Sequence, residues 1–199
     1  MIDPTNLAAL RQEYLQLELS KDSVAADPFV QFAAWFDEAV RAEIFEPNAM
    51  HLGTSTPDGI PSGRTVLLKG FDESGFTFFT NYTSRKGTEL LANPNCYLHF
   101  FWKELERQIL IRGTAVKVDA NESDEYFGTR PYLSQLGAGA SEQSSVIESR
   151  EVLEERFEEL KEKYAEGSVT RPAHWGGFRV TPGEFEFWQG RRSRMHDRI

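Results

Sequence analysis

Cationic and hydroxyl side chains recur where this chain's strand-like stretches end. Arg64 and Lys69 flank TVLL, Ser84-Arg85-Lys86 follows FTNYT, and Tyr126, Arg130 and Ser134 come after the aromatic strands. Such groups make charge-assisted hydrogen bonds to phosphate, arginine through a planar fork and lysine as a point charge. Arg64 and Lys69 are five positions apart, so an unbulged strand presents them on opposite faces, where they would serve two different phosphates. Taken singly, each is more simply a solvated surface charge. The set, spread along the chain, makes phosphate binding a competitive reading.

Other chemistries lack their residues. There is no G-x-x-x-x-G-K-[ST] loop, and Gly137-Ala138-Gly139 lacks the third glycine and preceding strand of a dinucleotide fingerprint. Cys96 and His99 fall three apart on a predicted strand, so they point to opposite faces and read as packing residues rather than ligands of one metal. His51, His174 and His196 show no metal-ligand spacing, so no metal is expected. The nucleophile elbow G-x-S-x-G is also absent.

The elements that must position these groups read mainly as β. Asp27-Pro28 starts a helix over about residues 28–44, with Phe29, Phe32, Ala33, Phe36, Ala39 and Val40 at helical spacing. AMHLGTS, RTVLLKGF and FTFFTN follow as antiparallel strands around the turns Pro57-Asp58-Gly59 and Asp72-Glu73-Ser74-Gly75. A short helix near residues 86–92 precedes CYLHFFW and RQILIRGTAVKV, and WGGFRV and EFEFWQG supply later, separate β segments. Many antiparallel strands with few long connections favour a closed or nearly closed barrel. A second long helix, with a capping box at Ser145 and Glu148 and a stripe of Val152, Leu153, Phe157, Leu160 and Tyr164, is expected to pack across the barrel.

With 199 residues and no repeat or linker, the chain is expected to form a single domain. Its net charge of −9 argues against nucleic-acid or anionic-membrane partners, and no apolar run approaches the roughly 18 residues of a membrane span. The N-terminus lacks the pattern of a secretory signal, and Cys96 is the only cysteine, which together point to a cytoplasmic protein. The acidic stretch 148–166 contrasts with 191–198, where four arginines face Asp197 alone. That basic end suits a small anion.

The motifs LRQEY (10–14), RTVLLK (64–69), FFTNYTSRK (78–86), ERQ (106–108), YFGTRPYLSQLGA (126–138), SEQSS (141–145), WGGFRV (175–180), EFEFWQG (184–190) and RMHDR (194–198) occur in this order over nearly the whole chain. Together they resemble the pyridoxamine 5'-phosphate oxidase family. The resemblance implies a mainly β, antiparallel, FMN-binding split barrel with flanking helices, working as a homodimer with flavin sites between subunits. It implies oxidation of pyridoxamine or pyridoxine 5'-phosphate to pyridoxal 5'-phosphate, with O2 as acceptor and H2O2 as product. By the same resemblance, FMN is held by Arg64, Thr65, Val66, Leu67, Leu68, Lys69, Phe79, Thr80, Arg85, Lys86, Gln108, Gln143, Ser144, Trp188 and Arg198. Lys69, Tyr126, Arg130 and Ser134 grip the substrate phosphate, and Arg194 and His196 face the substrate ring as the catalytic pair. Arg11 and Tyr14 belong to an N-terminal segment, residues 1–26, that closes over the site. Relatives commonly carry Trp where this chain has Gly139, and they continue past the last motif with a final strand. The alternatives weighed are a related flavin oxidase of another ring, such as a phenazine precursor, a non-catalytic flavin- or pyridoxal-phosphate-binding protein, and a nucleic-acid-binding barrel. The four phosphate-gripping residues speak against the first, the Arg194 and His196 pair against the second, and the acidic balance against the third.

Overall fold

The structure, a computed structural model, describes Tyr14 and residues 17–199. Helix α1 spans Pro28–Arg41, and Asp27 caps it by accepting the Phe29 amide at 2.8 Å. It stops three residues short of the expected end. Glu43 takes a left-handed φ of 53°, the Glu43 amide donates to the Val40 carbonyl, and the Ile44 amide donates to that of Ala39. This Schellman closure satisfies carbonyls that a longer helix would have used itself.

Strands β1 (Ala49–Ser55), β2 (Pro61–Leu67), β3 (Gly70–Asp72), β4 (Gly75–Asn81), β5 (Asn95–Trp102), β6 (Arg107–Lys117) and β7 (Trp175–Gln189) lie in the sheet order β2-β1-β5-β6-β7-β4-β3, with β8 (Asp197–Arg198) on β7. WGGFRV and EFEFWQG, expected as separate strands, are one 15-residue strand. Pro182 is tolerated there because β4 pairs with β7 only from Trp175 to Val180. Helices α2 (Arg85–Ala92), α3 (Ala120–Thr129), α4 (Tyr132–Ala140) and α5 (Arg150–Lys163) complete the chain. Helix α5 starts at Ser149 rather than at the Ser145 capping box, and the element it packs on is α4. Its expected stripe is only half-buried.

Contacts group the chain into two units. The first joins the chain up to Pro47 with His99–Ile111 and Phe185–Ile199. Its core is aromatic, with Phe32 edge-on to Phe100 at 5.2 Å and Trp35 edge-on to Phe187 at 5.4 Å. Arg107 is buried there against the Trp35 ring, its charge answered by Glu38 at 2.6 Å and its Nε–H by Gln189 at 2.8 Å. The second unit holds Asn48–Leu98 and Arg112–Glu184, with Met50, Leu52, Phe76, Phe78, Phe178 and Val180 fully buried. Cys96 belongs to it, and burial pushes its thiol pKa up to about 12, which leaves it inert.

Candidate active site

The expectation that Arg64 and Lys69 face opposite sides fails at Leu68. The strand breaks there and changes partner. The Leu68 amide donates to the Asn48 carbonyl on the β1 side, and the next amide, Lys69, donates to Thr77 of β4. Alternation is lost across this jog, and Arg64 and Lys69 line one open cleft of about 790 Å³ in the second unit. Thr65, Val66 and Leu67 line it as well. Leu68 does not, being buried in the core.

Strand β4 brings Phe79 and Thr80 to the cleft, and the first turn of α2 brings Arg85 and Lys86. Ser84 caps that helix, so its positive dipole end lies beside these two cations. Lys86 is buried, and among the described residues its ammonium donates to neutral oxygens, Gln143 Oε1 at 2.7 Å, Thr80 Oγ1 at 3.2 Å and Ser84 Oγ at 3.4 Å. Burial, with the nearby Arg64 charge second, lowers its pKa to about 8. Arg64 is fixed differently. It donates to Thr54 at 2.5 Å, to Ser62 at 2.6 Å and to the Leu52 carbonyl at 3.2 Å, and pairs with the buried Glu89 at 3.4 Å. Burial works to raise the Glu89 pKa, but hydrogen bonds from Ser62 and Thr54 and the Arg64 charge outweigh it and hold the carboxyl below its ordinary value.

A wall of flat rings adjoins these cations. Phe79 stacks on Tyr126 at 3.9 Å and on Trp175 at 5.6 Å, and the Arg130 guanidinium lies 4.5 Å from the centre of the Trp175 ring. Gly177 makes this possible, since a Cβ there would come within 2.8 Å of the Phe79 ring. Arg130 donates to the Ser134 carbonyl at 2.9 Å and, like Lys86, has no carboxylate partner among the described residues. Burial lowers its pKa, with Tyr126 opposing. Ser134, Gln143 and Ser144 complete the predicted residues on the cleft, Ser144 at a left-handed φ of 70°. Sequence reasoning did not assign Trp175 or Glu89 to the site, although Trp175 opens the WGGFRV motif.

Gln108, Trp188, Arg194, His196, Arg198 and Tyr14 belong to the first unit. Gln108 meets His99 at 2.9 Å, and Arg198 lies 3.7 Å from Glu186. His196 packs on Trp188 at 4.6 Å and under the edge of Tyr14 at 5.6 Å. Gly190 leaves room for that tyrosine, because a Cβ there would lie 2.7 Å from its ring. His196 is not ion-paired to Asp197, which binds Arg191 at 3.2 Å instead. Arg194 is exposed. Arg11 lies outside the described residues. No helix among the described residues is long and apolar enough to cross a membrane.

The chain is similar to known proteins over most of its length. Residues 36–164 match the family model described as pyridoxamine 5'-phosphate oxidase, and residues 175–199 match that of the pyridoxine 5'-phosphate oxidase C-terminal dimerisation region. A pyridoxine/pyridoxamine 5'-phosphate oxidase of Nostoc sp. is 57% identical over 97% of this chain and 90% of its own length. PhzG from Burkholderia lata, solved with tetrahydrophenazine-1-carboxylic acid, is 32% identical over 94% of this chain and 92% of its own, with a TM-score of 0.86. An FMN-binding protein of Nostoc punctiforme related to pyridoxamine 5'-phosphate oxidase shares the fold at a TM-score of 0.68 and 15% identity, over 87% of this chain and 90% of its own. With an antiparallel split-barrel sheet, flanking helices and two family models that together span most of its length, the chain belongs to the pyridoxamine 5'-phosphate oxidase family.

Proposed function

We propose that the protein oxidises pyridoxamine 5'-phosphate and pyridoxine 5'-phosphate to pyridoxal 5'-phosphate, using FMN as resident cofactor and O2 as terminal acceptor. The observation that carries this reading is a pair of cations on one cleft, the buried Lys86 and the half-buried Arg130, that have no carboxylate partner among the described residues and lie beside a wall of stacked rings. A buried charge without a counter-ion is costly, so such cations fit a ligand that brings anions of its own. The donor set fits a flavin monophosphate: Arg64, Arg85, Lys86 and Thr80 would hold its phosphate, with Gln143 and Ser144 beside them. Lys69, Tyr126, Arg130 and Ser134 would hold the phosphate of the substrate.

Bound flavin supplies the hydride acceptor and passes the electron pair to O2, giving H2O2. The chain's own work is to bind and align two flat rings and to exclude water from between them. Arg194 and His196 would orient the C4' amine or alcohol. The amine is oxidised to an imine, which water hydrolyses to the aldehyde and ammonia. The similarity to PhzG is weaker than that to the Nostoc oxidase, and the phosphate-gripping residues lie together on the cleft, which favours phosphorylated vitamers over a phenazine precursor. A cytoplasmic homodimer with flavin sites between its subunits is part of the same reading, supported by the match to a dimerisation region.

The test is aerobic turnover of both phosphorylated vitamers, with aldehyde and peroxide measured together and the released cofactor identified by mass. Equal yields of aldehyde and peroxide with FMN are expected. Aldehyde formation without peroxide, or no oxidation of either vitamer, would overturn the reading.

A further inference from the structure

The loop that carries Arg194 and His196 is strained. Ser193 and Arg194 both have left-handed backbones, at φ 54° and 60°, a conformation that side-chain-bearing residues adopt only where the surroundings enforce it. The ends of the loop are joined by strand pairing, Gln189 opposite Asp197 and Trp188 opposite Arg198. Inside that base, Arg191 is the hub. Its Nη1 reaches Asp197 Oδ2 at 3.2 Å, and its Nη2 reaches Glu18 Oε1 at 3.0 Å. Asp197 Oδ2 also accepts the Leu19 amide at 2.9 Å, so the loop is tied at both carboxylates to the segment that precedes α1.

The main chain of Arg191 makes the contact that bears on chemistry. Its N–H donates to His196 Nδ1 at 3.0 Å. A backbone amide can only donate, so Nδ1 must present its lone pair, and the neutral imidazole carries its proton on Nε2. Nε2 makes no hydrogen bond among the described residues. The ring is held from its other sides by Trp188 and Tyr14.

We propose that Arg191 is the positioning residue of this loop: its guanidinium, gripped by Asp197 and Glu18, holds its own amide against His196 Nδ1, so that His196 meets the C4' substituent as an Nε2–H hydrogen-bond donor and not as a proton acceptor. Accepting a proton at Nε2 would require the other tautomer, in which an Nδ1–H would point at the Arg191 N–H. The proton that leaves the C4' alcohol or ammonium group must therefore go to water or to another group. The role at C4' rests on the function proposed above. The tautomer does not.

Two readouts test this on holoprotein labelled with 15N-histidine. Long-range proton–nitrogen spectra, with the His196 signals identified by their loss in His196→Gln, should show an unprotonated Nδ1 and a protonated Nε2. In Arg191→Met the two nitrogens should move towards an averaged mixture, and kcat should fall on the order of 10- to 100-fold, as for a misplaced catalytic group, while KM and FMN content stay within about twofold. Arg191→Lys, which can keep one of the two carboxylate contacts, should recover part of both signals. If Arg191→Met does not fold, Asp197→Asn and Arg191→Lys are read in the same way. A wild-type ring protonated on Nδ1, or an unchanged tautomer and kcat in Arg191→Met, overturns the proposal. If the wild-type protein oxidises neither vitamer, the functional reading fails while the spectra still decide the tautomer.

Discussion

Raising the pH from 7 to 9 should weaken the binding of FMN to the apoprotein about tenfold, through Lys86 alone. With its pKa near 8, this buried lysine is mostly ammonium at pH 7 and mostly neutral amine at pH 9. The FMN phosphate, whose second pKa is near 6, is a dianion across the whole interval. Set beside Lys86, it raises the lysine pKa again, so the complex keeps a proton that the free protein has lost. Binding above pH 8 must then take up that proton, and affinity falls by the fraction of free protein that has to be reprotonated, a factor of about ten, or about 1.4 kcal/mol. The same depression has a sign for stability. Because the unfolded lysine titrates at its ordinary 10.5, the unfolded chain binds more protons between about pH 8 and 10.5, and Lys86 makes the apoprotein more stable as the pH rises through that window. The assay is titration of apoprotein with FMN by quenching of flavin fluorescence from pH 6.5 to 9.5, with proton uptake read calorimetrically in two buffers. Lys86→Arg, which stays charged, should bind with no such slope. A wild-type Kd that does not change between pH 7 and 9, or an equal slope in Lys86→Arg, would refute the assignment of Lys86 to the phosphate.

Further expectations concern the rest of the site. Arg130→Ala should cost about 30-fold or more in kcat/KM for phosphorylated vitamers, from a loss of roughly 2–5 kcal/mol, with FMN content unchanged and unphosphorylated pyridoxine much less affected; equal losses on both substrates would remove Arg130 from the phosphate site. Gly177→Ala puts a methyl group within 2.8 Å of the Phe79 ring and should destabilise the protein by about 1–3 kcal/mol in urea unfolding, with a changed Trp175 emission as the stack tilts. On dilution, FMN and dimer should be lost together, and light scattering that finds a monomer with full FMN would exclude a site shared between subunits.

Much of this was legible in the sequence, and the failures have physical causes. Strand-forming residues between turn signals located β1, β4, β5 and β6 to within a few residues. Period-two alternation misled at residues 64–69, since it holds only while a strand keeps its partner, and Leu68 is where the partner changes. Helices α3 and α4 escaped notice. Three glycines, at 128, 137 and 139, dilute their helical pattern, although Asp119 with Glu122 has capping spacing and does cap α3. The cationic residues of the cleft were visible by type. The ring stack and the Glu89 anchor were not, because both join residues far apart in the chain, and no local pattern records such a meeting.

The jog at Leu68 also makes the backbone a gauge. Five peptide steps separate Arg64 from Lys69, which at about 3.3 Å each allow a span of at most roughly 16 Å, shortened by the jog. Substituting side chains within TVLL leaves that span alone, whereas inserting or deleting a single residue changes it by a whole graduation and moves the jog. On the function proposed above, the two phosphates held at Arg64 and at Lys69 would have to match that limit. Variants adapted to shorter or longer ligands should therefore differ here in residue count before they differ in residue type.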